Sequence, residues 1–322
     1  MKSSSMPTHK LSSWLDHNIL FCLSIFLLAF IPLYPKLPLV DILPGYIVRV
    51  RLEDFFVAVS ALLYGLWWIR GKVNPLKNPL FSFVIAYLAI GFISGISAVF
   101  VTKTIPFQFL HIAKWGLHWA RRIEYVSLLF LLFDAVKTQK QFKMILGILA
   151  GVVIAAFVYG FGQKYYQWPV YSTMNREFSK GWRLVLTDHA RVPSTFAGHY
   201  DLGAYLALAL PIVLVMAFFS EERVLRWFGR IAFLTGYLLL ILTASRASYI
   251  AYAFSIILLF GFMYIVTRKW KYVISRFAVV AVLSAIIFLT FGDLSGRFAR
   301  ARRQYQEGVP RLLLSAQNLP RE

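Results

Sequence analysis

Two arginines stand where an arginine is hard to accommodate. Arg246 is the one charged residue in the 37 residues from Ile231 to Thr267, a mostly apolar run without histidine. Arg191 opens "RVPSTFAGHYDLGAYLALALP" (191–211), a small, polar, glycine-bearing stretch that runs directly into apolar sequence. A guanidinium is planar and always charged, and its donor fork matches the oxygens of a phosphate. A helix starting after Gly198 would add free backbone N–H groups and the positive end of its dipole. Arg191, the Ser194 and Thr195 hydroxyls and the backbone at Gly198 could then hold a phosphate together. His199 and Asp201 fall where that helix should begin. His199 is either a hydrogen-bonding group at the helix start or a ligand contact; Asp201 suits the dipole there. Arg246 either snorkels and merely fixes a turn, or binds an anion.

The elements that must position these residues are membrane helices. Of the 322 residues, 59% are hydrophobic and only 15% are charged, against roughly 25% charged in ordinary soluble domains. Several stretches long enough to cross a hydrocarbon core at ~20 helical residues carry no lysine or arginine. They do not alternate apolar and polar residues as β-barrel strands do. The expected class is all-α: a polytopic transmembrane helical protein with about nine spans, near 19–35, 52–69, 80–101, 123–136, 144–163, 200–219, 231–244, 247–267 and 277–291. Pro211 predicts a kink in the sixth.

Charge sets the orientation. The formal net charge is +20, which in a soluble chain would suggest nucleic acid. Here the basic residues lie between spans. The short segments 1–18, 70–79, 137–143, 220–230 and 268–276 hold 15 of them in 55 positions. Dense positive charge in short loops marks the cytoplasmic side, so the N-terminal segment 1–18 is placed there. The loop 164–199 and the tail 292–322 then face outward from the helical domain 19–291. A single helix over Ile231–Thr267 would be about 56 Å long at 1.5 Å per residue, far beyond a ~30 Å core. Two crossings joined at "TASRAS" fit better, with Arg246 at the outer face. The lone cysteine, Cys22, has no partner for an intrachain disulfide. The apolar stretch after Asn18 shows no small-residue cleavage site and reads as a retained span.

At "RVPSTFAGHYDLGAYLALALP" (191–211) and "LTASRASYIAYAFSIILL" (242–259) the sequence resembles the O-antigen ligase and polymerase family of bacterial membrane proteins. "VRLEDFFVAVSALLYGLWW" (50–68) and "RRIEYVSLLFLLF" (121–133) look like its early spans. The resemblance covers most of 20–295. It implies metal-independent, inverting glycosyl transfer at the outer face of the bacterial inner membrane. The donor would be an undecaprenyl-pyrophosphate-linked glycan, the acceptor lipid A-core or another glycan, and no cofactor would be needed. The family's phosphate-binding arginines correspond to Arg191 and Arg246. Its members carry a later periplasmic loop whose histidine is proposed to activate the acceptor. The tail 292–322 contains no histidine, so the chain looks like an N-terminal portion and no catalytic residue is assigned.

Two other readings stay open. A metal-dependent membrane glycosyltransferase would use Asp41, Glu53 or Asp54, although Arg49 and Arg51 could pair with the last two and the chain has no D-x-D. A transporter or flippase for lipid-linked polysaccharide would be expected to place charges near the midplane and to show internal repeats. The expected spans hold no lysine, arginine or histidine, and Glu124 can pair with Arg121 three residues before it. Phosphate-loop, H-E-x-x-H and C-x-x-C patterns are absent, and basic loops alternating across a membrane do not make a nucleic-acid face.

Overall fold

The computed structural model describes residues 8–41, 49–171, 185–187 and 190–291. Among these are nine α-helices: α1 (Thr8–Leu33), α2 (Leu52–Ile69), α3 (Phe81–Phe100), α4 (Phe109–Ala135), α5 (Gln139–Tyr165), α6 (His199–Phe219), α7 (Arg223–Thr243), α8 (Arg246–Thr267) and α9 (Trp270–Phe291). Seven of them, α2, α3 and α5 to α9, are long and apolar enough to cross a membrane. α1 contributes a shorter apolar stretch, Asn18–Leu33. The chain is therefore a helical, multi-pass membrane protein. A two-stranded antiparallel ribbon, β1 (Pro38–Asp41) with β2 (Arg49–Arg51), joins α1 to α2.

Several helices outrun the expected spans. The expected crossing 123–136 is the last half of the 27-residue α4, which starts at Phe109 and carries Lys114, Arg121 and Arg122. α7 begins at Arg223 and α9 at Trp270, with Arg226, Arg230 and Arg276 within their first three turns. α1 reaches back to Thr8, into the stretch expected to be a polar N-terminal segment. Helical hydrogen bonding needs only backbone groups, so a helix leaves the apolar layer and continues through charged sequence. Much of the loop 164–199 lies outside the described residues, namely 172–184 and 188–189, as does the tail 292–322.

Local signals fix the boundaries that matter. "TQKQ" starts α5 as a reciprocal cap: the Gln141 N–H donates to Thr138 Oγ1 at 3.2 Å and the Thr138 N–H to Gln141 Oε1 at 3.0 Å. Arg51 N–H donates to Asp54 Oδ2 at 2.9 Å at the start of α2. α6 continues across Pro211 as one helix. Proline has no N–H for the Ala207 carbonyl four residues back. Ser255 Oγ of α8, at 3.2 Å, donates to it instead, sharing its proton with the Tyr252 carbonyl at 2.8 Å.

Two apolar cores result. One joins α5 to α9 around Leu206, Leu210, Val213, Leu239 and Leu240, all essentially inaccessible. The other joins α1, α2 and α4 around Leu27, Val57 and Leu131. α1 packs on α5 and links them. The outward faces of α3, α8 and α9 are rich in exposed Phe, Ile, Leu and Val, as lipid-facing surfaces are.

Candidate site at the start of helix α6

Residues 190–198 are pinned to three helices before they enter α6. The Val192 N–H donates to the Leu242 carbonyl of α7 at 3.1 Å. Ser194, at φ +52°, donates its hydroxyl to the Ala156 carbonyl of α5 at 2.7 Å and accepts Gln163 Nε2 at its own carbonyl at 3.0 Å. Thr195 Oγ1 donates to the Pro32 carbonyl of α1 at 2.5 Å. Gly160 permits this close approach, since a Cβ there would lie 3.0 Å from Val192 Cγ1 and 2.7 Å from Leu239 Cδ1. The expected phosphate contacts from Ser194 and Thr195 are therefore not what their hydroxyls make here. Both side chains are buried and both protons are committed to helix carbonyls.

Gly198 is the N-cap of α6, in extended backbone, and His199 is its first helical residue. His199 holds Arg191: Arg191 Nη1 lies 2.8 Å from His199 Nε2 and 3.1 Å from the Tyr200 hydroxyl. Arginine only donates, so Nε2 is the acceptor and the imidazole proton sits on Nδ1. The Arg191 guanidinium also lies 5.9 Å from the centre of the Tyr200 ring, within cation–π range. Arg191 is thus exposed but oriented by the first turn of α6.

Arg246 comes to the same end of the bundle. α7 closes at Thr243, Ala244 turns left-handed at φ +49°, and Ser245 caps α8 by accepting the Ser248 N–H at 3.4 Å. Tyr249 Oη donates back to the Ile241 carbonyl at 2.8 Å, satisfying one group at the end of α7. Arg246 is therefore an exposed residue on the first turn of α8, after a turn too short to reach elsewhere. Gly203 seats that turn against α6, since a Cβ there would sit 2.3 Å from Ser248 Oγ and 2.8 Å from Ser248 Cβ. The Val192–Leu242 bond fixes Arg191 beside the last turn of α7, four residues before Arg246.

Next to this cluster, between α1, α2, α4 and the start of α6, lies a cavity of about 610 Å³. Its body is apolar, with Leu27, Val57, Leu128 and Leu131; neither Arg191 nor Arg246 lines it. Its polar lining carries Lys36, Arg51 and Arg121 with Glu53, Asp54, Glu124 and Asp201. Lys36 is buried against Glu53, to which it donates, and Arg51 pairs with the same carboxylate at 3.3 Å. Burial pushes the Lys36 ammonium below its ordinary pKa, and the Glu53 charge works against that shift. Arg121 reaches across to Asp54 at 3.3 Å, so its ion pair runs to α2 and not along α4 to Glu124, with which it could also have paired. Glu53 and Asp54 are thus held in ion pairs. Asp41 ends β1. No group of three His, Cys, Asp or Glu side chains that could hold a metal occurs among the described residues.

The sequence did not point to Tyr200, to the Lys36–Glu53 pair or to the cavity. A weak signal existed for the last: Asp201, Ala204 and Tyr205, three and four residues apart, share one helix face, and all three line it. No protein-family model, no curated protein and no solved structure matches this chain.

Proposed function

We propose that the protein is an O-antigen ligase-like glycosyltransferase of the bacterial inner membrane, with nine crossings and its N-terminus in the cytoplasm. It transfers a glycan from undecaprenyl pyrophosphate to lipid A-core or to another glycan on the outer side. The donor pyrophosphate lies against Arg191 and Arg246 at the start of α6. The observation that carries this reading is the Val192–Leu242 backbone bond, which brings two arginines 55 positions apart to one end of the bundle. His199 and Tyr200 orient the first guanidinium, and the α6 and α8 N-termini add positive dipole ends on the same side. In the reaction the acceptor oxygen attacks the anomeric carbon, the bond from that carbon to the phosphate oxygen breaks, and undecaprenyl pyrophosphate leaves. Fixed cations stabilise the charge that develops on the leaving group. The apolar faces of the surrounding helices suit the prenyl chain.

The test is transfer by the full-length protein in vesicles containing undecaprenyl-pyrophosphate-linked glycan and lipid A-core. Arg191→Ala and Arg246→Ala should each abolish transfer while their level in the membrane stays unchanged. Wild-type rates in both variants would remove the anion site. Movement of donor across the bilayer without transfer would support a flippase instead.

A further inference from the structure

A smaller pocket lies at the far end of α2 from this cavity. Glu53 lines the cavity at the start of α2, and Trp67 follows 14 positions later, about 21 Å along the axis at 1.5 Å per residue. There the ends of α2 and α4 and the side of α1 border a pocket of about 240 Å³. Its lining combines two ammonium groups, Lys72 and Lys137, with one carboxylate, Asp134, over an apolar floor of Leu20, Trp67 and Val73. Tyr64 Oη donates to Asp134 Oδ2 at 2.6 Å, which ties α2 to α4 and leaves Oδ1 without a donor among the described residues. Lys72 Nζ lies 5.4 Å from the centre of the buried Trp67 ring, and the Arg70 guanidinium lies 5.8 Å from it, both within cation–π range. The lining thus carries one net positive charge, with Arg70 adding a second beside it. A phosphate monoanion balances the lining, and a hydroxyl on its far side would give Asp134 Oδ1 a donor. Leu66 and Ile69 on α2 and Phe133, next to Asp134 on α4, are exposed apolar side chains. They offer a surface to acyl chains and none to a free ion.

We propose that this pocket binds the headgroup of an anionic glycerol phospholipid, of the phosphatidylglycerol type, from the leaflet opposite the arginine cluster. Basic pockets between the ends of membrane helices take lipid phosphates in this way. Lys72 and Lys137 hold the phosphodiester, Asp134 accepts a hydrogen bond from a glycerol hydroxyl, and the acyl chains lie along the exposed apolar faces of α2 and α4. Because the lining comes from α1, α2 and α4, the bound lipid bridges the same three helices that share the Leu27–Val57–Leu131 core. The site is independent of glycan transfer and stands or falls without it.

The test is a titration of the purified full-length protein, in neutral-detergent micelles, with labelled phosphatidylglycerol, phosphatidylmethanol and phosphatidylcholine. Phosphatidylmethanol has the same charge as phosphatidylglycerol and no headgroup hydroxyl. The wild type should prefer phosphatidylglycerol to phosphatidylmethanol by roughly tenfold, as a hydrogen bond to a charged acceptor allows, and should bind phosphatidylcholine most weakly. Lys72→Gln with Lys137→Gln should weaken phosphatidylglycerol binding roughly 30-fold. The control is Lys269→Gln with Lys271→Gln, which removes the same charge at the start of α9. Those lysines are exposed at the same end of the bundle, where Arg276 of α9 lies over Phe218 near the end of α6, and the control should bind like the wild type. Equal loss in the two double variants, or no loss in the first, overturns the site in favour of general attraction by a basic surface. Equal binding of phosphatidylmethanol overturns the assignment of a glycerol headgroup to Asp134. Displacement of the lipid by an excess of free glycerol phosphate makes this a site for a soluble phosphate and overturns the lipid.

Discussion

Gly203→Ala is a small change with a calculable effect. The added Cβ would lie 2.8 Å from Ser248 Cβ and 3.4 Å from Ser245 Cβ. Carbon atoms in contact prefer about 3.5–4.0 Å, so the first turns of α6 and α8 must part by roughly 0.7–1.2 Å. Ser248 Cβ is fixed to its backbone and cannot swing aside as the end of a long side chain could. Overpacking of this kind costs about 1–3 kcal/mol. The same displacement moves Arg246 relative to Arg191, and a misplacement of about 1 Å at a reacting site can cost on the order of 10²-fold in rate. Unfolding in mixed micelles and glycan transfer in vesicles read the two effects. Ser248→Gly removes the obstructing atoms, at about 1 kcal/mol for glycine in a helix. The double variant should therefore be more stable than the sum of the two single losses allows, and should regain transfer. Additive losses, or an unperturbed Gly203→Ala protein, would refute the close seating of α8 on α6 as the feature that positions Arg246.

Glu53→Gln leaves the buried Lys36 ammonium without its main counter-charge and should destabilise the protein by about 3–5 kcal/mol, whereas Lys36→Met with Glu53→Leu should cost far less; unfolding of the three proteins checks this. Ser255→Ala should cost about 1 kcal/mol, and less in a Pro211→Ala background, where residue 211 regains the N–H that serves the Ala207 carbonyl. With Cys22 replaced by alanine, Arg246→Cys should react with an impermeant maleimide added to intact spheroplasts, and labelling only after lysis would place the residue on the cytoplasmic side and refute the topology.

The sequence by itself determined the helical membrane class, the break between α7 and α8 at "TASRAS", and the start of α6 after Gly198. All three are local. Apolar length reports a membrane helix, a mostly apolar run of 37 residues is too long for one crossing and must bend, and a glycine before a polar first turn permits a helix to begin. Helix ends were less legible, as the long charged starts of α4, α7 and α9 illustrate, because hydropathy follows side chains while helical hydrogen bonds follow the backbone. Only the tertiary structure decided which side chains face inward. It turned Ser194 and Thr195 toward helix carbonyls, gave Arg191 to His199 and Tyr200, sent Arg121 across to Asp54, and left an open cavity between α1, α2, α4 and the start of α6. Such pairings depend on where separate helices come to rest against one another, and no spacing along a single chain encodes that distance.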